Sequence, residues 1–120
     1  MRNALIIVDM LNDFVQPEAS LYVPGVEDAI EPIQNLLAEA RMNRDLIIFV
    51  CDAHDPDDLE FQRYPPHAIE DTPGAEIIKE LAPRPGEHTA SRPGPPIISI
   101  QPVLTNKGAH HGQNLIKTRR

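Results

Sequence analysis

Ala4-Leu-Ile-Ile-Val-Asp9 and Leu46-Ile-Ile-Phe-Val-Cys-Asp52 decide the fold. Each is a short unbroken apolar run that closes on an aspartate. Such runs suit strands buried on both faces, the habit of a parallel sheet. Between them, residues 27–42 place Ala29, Ile30, Ile33, Leu36, Leu37 and Ala40 on one face of a helix. Pro32 falls near the start of that stretch, where a first turn tolerates it. Residues 17–25, with Pro17, Pro24 and Gly25, read as a loop, and the polar, proline-rich residues 53–73 as a longer one. Residues 74–81 read as a short helix stopped by Pro83 and Pro85, and 97–100 as a third strand. Strand, helix, strand, helix, strand predicts an α/β domain around a mainly parallel sheet.

Composition narrows what such a domain can do. The 120 residues leave room for one domain, and a 41% hydrophobic share argues against global disorder. The net charge of −7 argues against nucleic acid as a partner, because that affinity is mostly cationic. With no Trp, two Tyr and three Phe, base stacking is also unexpected. The apolar runs fall far short of a membrane span, and the N-terminus lacks the parts of a signal peptide. One cysteine precludes an internal disulfide and suits a reducing compartment. The expectation is a cytoplasmic protein, with a small molecule as partner, no nucleic acid, no membrane, and homo-oligomerisation open.

Charge divides the chain. Residues 1–91 hold all 18 acids and six basic residues; residues 92–120 hold five basic residues and no acid. The expected organisation is a domain over 1–88 and an irregular, basic, Pro- and Gly-containing tail over 89–120.

In open α/β sheets, ligands bind beyond the carboxyl ends of the strands. Asp9 and Asp52 occupy those ends. Asp9 is either a loop or capping acid, or a general base whose environment tunes it. Phe14, five residues on, is either core or a pocket wall. In Asp52-Ala53-His54, alternate side chains share a face if the strand continues, so a carboxylate and an imidazole address one point. That pair suits a divalent metal. His67, in Tyr64-Pro65-Pro66-His67, is placed to fold back as a third ligand, leaving a coordination position open. Two imidazoles and a carboxylate suit zinc, iron or manganese alike. The competing reading is two loop histidines beside a solvated acidic face formed by Asp55, Asp57, Asp58 and Glu60. Cys51 reads as a small core hydrophobe rather than a nucleophile: it closes an apolar strand and points to the face opposite Asp52. The tail pair His110–His111 reads as incidental.

At these residues the chain resembles the isochorismatase-like cysteine hydrolases, the superfamily that includes nicotinamidases. Residues 4–14 resemble its opening strand, Phe49-Val-Cys-Asp-Ala-His-Asp55 its second strand and metal motif, and residues 64–76 its histidine loop. The resemblance covers about residues 3–88. It implies a three-layer α/β/α Rossmann-like sandwich with a mainly parallel sheet, incomplete here at the C-terminal side. It implies an Asp, Lys and Cys triad that cleaves C–N amide or related bonds of small molecules through a covalent acyl intermediate. By position, Asp9 matches the triad aspartate, Asp52, His54 and His67 match metal ligands, and Phe14 matches a pocket-lining aromatic.

The departures lie beyond residue 88. Arg92 stands near the place of the family's Lys, and arginine replaces a compact ammonium poorly. Lys117 falls too late in the chain, and the strand leading to the family's nucleophilic Cys is not found. This change coincides with the charge shift, so a truncated or frame-shifted product, impaired as a hydrolase, is expected. The alternatives are a non-catalytic remnant that keeps a metal or small-molecule site, and a structural fragment with no site. Tyr64 where Trp is more usual, and Leu11 where nicotinamidases commonly have Gln, weaken nicotinamide as the substrate.

Overall fold

Strands β1 (Ala4–Val8) and β2 (Leu46–Asp52) pair in parallel, with Ile6 opposite Ile48 and Val8 opposite Val50. The structure is a computed structural model that describes residues 2–92, 100–104 and 114–118. Strand β3 (His88–Arg92) adds in parallel to the far side of β2, giving the order β1-β2-β3. Strands β4 (Ile100–Leu104) and β5 (Asn114–Thr118) form an antiparallel pair of their own. Between β1 and β2 lie a single turn of helix, α1 (Asn12–Val15), and the long helix α2 (Ile30–Met42). Helix α2 starts three residues later than its periodicity suggests. Gly25, at φ 84°, and a 3-10 turn over Val26–Ala29 bring the chain in first. Pro32 sits in the first turn, where it forfeits no helical hydrogen bond.

The core lies on one face of the sheet. Ile7, Ile47, Phe49 and Cys51 point to this face and pack with Leu37 and Ala40 of α2, and with Met10, Leu11, Val15, Ile78 and Leu81. Burying each large apolar side chain here contributes about 1.5–3 kcal/mol. Along β2, buried and half-buried residues alternate strictly. Ile6, Val8, Ile48 and Val50, on the opposite face, are only half-buried. The expectation of strands buried on both faces is therefore corrected: among the described residues one face is buried and the other half-buried, within the expected α/β fold whose sheet is incomplete.

Two further expectations change. The third described strand of the parallel sheet is His88–Arg92, while 97–99 lie outside the described residues and Ile100 opens β4. His88, Thr89, Ala90 and Ser91 are all exposed, so β3 carries no apolar pattern for a sequence reading to find. It also spans the boundary drawn between 88 and 89. Residues 74–81 form no helix. They hold two 3-10 turns, Pro73–Ala75 and Lys79–Leu81, around an extended bridge from Ile77 to Leu11. Backbone pairing wins because the Asn12 N–H donates to the Glu76 carbonyl at 3.0 Å and the Ile78 N–H to the Met10 carbonyl at 3.0 Å. These bonds tie the segment to the chain leaving β1.

The approach to β3 is fixed by a two-point ion pair. Arg41, near the end of α2, donates from Nε and Nη2 to the two Glu87 oxygens at 2.8 and 2.9 Å. The Arg84 N–H donates to Glu87 Oε1 at 2.7 Å. The bond to Arg41, chiefly, holds the Glu87 carboxyl below its ordinary pKa, against the opposing effect of burial. A group lowered in this way adds stability above its unfolded pKa and loses it as pH falls through the folded value. Glu87→Gln is expected to cost about 1–2 kcal/mol at pH 7. That difference from the parent should vanish on acidification to about pH 3. Urea midpoints across pH measure it; a deficit unchanged at low pH would remove the ion pair as its cause.

Candidate metal centre

Strand β1 ends by turning sharply. Asp9 has φ 57°, a left-handed conformation that aspartate tolerates better than most residues. Its N–H donates to the Val50 carbonyl at 2.9 Å, and its Oδ1 accepts the Asp52 N–H at 3.1 Å. The carboxyl ends of β1 and β2 are thereby joined, and Asp9 lies beside Asp52.

Beyond β2 the long loop folds back as a short parallel pairing. The His54 N–H donates to the Ala68 carbonyl at 2.8 Å, and the Glu70 N–H donates to the His54 carbonyl at 2.9 Å. Ala68, fully buried at φ 45°, is also held from the side: its N–H donates to Asp13 Oδ2 at 2.8 Å. Gly74 makes room for that carboxylate, since a Cβ at this position would collide with Asp13. His67 therefore arrives on a pinned backbone, and its ring centre lies 4.8 Å from that of His54.

Asp52, His54 and His67 each offer a donor atom, and these atoms lie within 4.8 Å of one another. Both imidazoles are buried, each 2% exposed. His67 Nδ1 donates to the Pro65 carbonyl at 2.7 Å, which leaves Nε2 as the ring's lone-pair nitrogen. His54 Nε2 lies 3.3 Å from Asp52 Oδ2 and 3.2 Å from Glu60 Oε2, while its Nδ1 lies 2.9 Å from Asp58 Oδ2. Burial pulls the His54 imidazole toward neutrality, but Asp58, Asp52 and Glu60 outweigh it and raise its pKa above 6.5.

The acids of this loop divide. Asp55 and Asp57 are exposed, whereas Asp58 and Glu60 turn inward onto His54. Asp58 caps the 3-10 turn Leu59–Gln62 by accepting the Glu60 N–H at 2.8 Å, and this turn carries Glu60 inward. Glu60 Oε2 is buried and, among the described residues, accepts no hydrogen bond, with His54 Nε2 3.2 Å away as a charged neighbour when that ring is protonated. Such an atom is costly unless something else satisfies it. A divalent cation suits this donor set: two imidazole nitrogens, an aspartate oxygen and a buried glutamate oxygen. Phe61, on the same turn, places its ring 5.5 Å from His54 and 5.4 Å from His67, and Phe14 lies 5.6 Å from His67.

All five residues singled out in the sequence, Asp9, Phe14, Asp52, His54 and His67, come to this end of the sheet. Sequence reasoning missed Glu60, Asp58 and Phe61. The one available signal was Asp58 preceding Leu59-Glu60-Phe61, the pattern of a cap before a turn. Cys51 lies on the core face, 5% exposed, with Asp52 on the other.

The isochorismatase domain family matches residues 3–105. An uncharacterised isochorismatase family protein of Bacillus subtilis is 37% identical over 90 residues, covering 69% of this chain and 48% of that protein. The structure of an isochorismatase-like hydrolase from Alkaliphilus metalliredigens superposes with a TM-score of 0.72 at 33% identity, over 77% of this chain and 52% of that one. A pyrazinamidase of Pyrococcus horikoshii in complex with zinc gives 0.70 at 27% identity, over 78% and 52%. The chain spans about half the length of these relatives. Among the described residues, no helix is long and apolar enough to cross a membrane.

Proposed function

The chain belongs to the isochorismatase family of hydrolases, and on that premise we propose that its site is the metal-holding part of an active centre that cleaves C–N amide or related bonds of a small molecule. The observation that carries this reading is the convergence of Asp52, His54 and His67 donor atoms beside Asp9 at the carboxyl ends of β1 and β2. Asp52, His54 and His67 hold a divalent metal, with Glu60 as a further oxygen donor. When bound, a dication supplies Lewis acidity and a fixed positive charge for a substrate heteroatom or carbonyl. Asp9 acts as the proton acceptor and donor for the reaction. Its carboxylate accepts the Asp52 N–H, which orients it. Phe14 and Phe61 form apolar walls that limit water around the ligands.

A second reading has its own support. The only thiol, Cys51, is buried on the core side of β2 and cannot attack a substrate at the Asp9 side. A chain that binds metal and a small ligand without turnover accommodates this. One experiment separates the readings. The metal-free chain is titrated with zinc, then assayed for ammonia release from nicotinamide and pyrazinamide. We expect about one zinc per chain. No retained metal overturns both readings. Ammonia release that survives Cys51→Ser would support the first reading, and zinc binding without ammonia release the second.

A further inference from the structure

We propose that Asp58 is a positioning residue for this centre, fixing the His54 tautomer with one carboxylate oxygen while capping, with the other, the turn that delivers Glu60 and Phe61. The inference rests on the metal reading above. Asp58 Oδ2 lies 2.9 Å from His54 Nδ1. A carboxylate only accepts, so Nδ1 carries the hydrogen and Nε2 is the nitrogen left for a cation. Nε2 is also the nitrogen that faces Asp52 and Glu60. The opposite tautomer would put a proton on the ligand atom and leave Nδ1 without a donor for Asp58. Asp58 Oδ1 accepts the Glu60 N–H at 2.8 Å and starts the turn Leu59–Gln62. From that turn come both the Glu60 oxygen, 3.2 Å from His54 Nε2, and the Phe61 ring against both imidazoles. The side chain of Asp58 is 10% exposed, so water competes weakly for either bond.

The two roles separate by substitution. Asn at 58 can still cap the turn with its oxygen, but then presents an NH2 group to His54 and demands the reversed tautomer. Ser can cap the turn but is too short to reach His54. Ala does neither. Long-range proton–nitrogen spectra of the metal-free chain at about pH 9, above the imidazole range, read the tautomer directly. Nδ1–H is expected in the parent and Nε2–H in Asp58→Asn. Zinc affinity, measured against a chromophoric chelator, is expected to fall about 10–100-fold in Asp58→Asn and Asp58→Ser. If Asp58→Ala does not fold, these two carry the test. Parental affinity in Asp58→Ser would leave only the capping role and overturn the proposal. So would an unchanged tautomer in Asp58→Asn. Failure of the parent to bind zinc overturns the metal reading and this inference with it; equal zinc affinity in parent and variants overturns this inference alone.

Discussion

His54→Ala is expected to abolish stoichiometric zinc retention, reducing affinity by well over the ~100-fold that loss of an outer contact costs. It removes one of two buried imidazoles whose donor atoms meet Asp52. It also leaves Asp52, Asp58 and Glu60 turned toward one another without the cation that neutralises them. For the metal-free chain we expect a loss of about 3 kcal/mol near pH 6, the cost of breaking a buried charge cluster by removing one partner. The pH dependence supplies a sign. The His54 pKa is raised in the folded chain, so its contribution is fully present below the ordinary value of 6.5 and is lost as pH climbs through the folded value. The deficit of His54→Ala in the metal-free state should therefore shrink on going from pH 6 to higher pH. Zinc affinity of the parent should rise across the same window, because the metal must displace the proton. Calorimetric zinc titration and urea unfolding at several pH values check both. Zinc retained by His54→Ala would sink the assignment of this residue as a ligand.

Phe49→Ala is expected to cost about 3–5 kcal/mol, the range for removing a buried aromatic. Phe49 is 1% exposed and sits midway along β2, the central strand, between Ile7 of β1 and the α2 packing surface. A cavity there also loosens the strand whose end carries Asp52. A loss of this size is a large share of the stability of an ordinary small domain. Leu59→Ala, at a side chain 76% exposed, is the control and should change stability by less than about 0.5 kcal/mol. Urea midpoints of the two variants give the comparison. A Phe49→Ala deficit below about 1 kcal/mol would mean that this face of β2 does not carry the core.

The site was partly legible because its spacing is local. Asp52 and His54 lie two residues apart at the end of an apolar strand, so their common address follows from backbone geometry. Asp9 follows from the same rule applied to β1. His67 is thirteen residues away in sequence, and its arrival depends on the Ala68 and Glu70 backbone bonds to His54 and on the Asp13 carboxylate. Those partners are polar groups on separate segments, and no periodicity announces them. The four acids at 55–60 look alike as letters. Which two face inward is decided by the turn that Asp58 caps.

The amino-acid sequence alone determined β1, α2, β2, the parallel character of the sheet, and the end of it where Asp9 and Asp52 stand. These follow from the burial of apolar side chains, which imprints a period on the chain wherever it acts. Only the tertiary structure decided β3, where the exposed residues 88–91 join the sheet through backbone hydrogen bonds that almost any sequence can make. It also decided that residues 74–81 pair with the chain after β1 instead of coiling, that one face of the sheet is covered among the described residues, and that Asp58 and Glu60 turn inward to His54. For β3 and for residues 74–81 the deciding partner is remote in sequence, and there, as at Asp58 and Glu60, the energy lies in a polar contact that leaves no hydrophobic pattern behind.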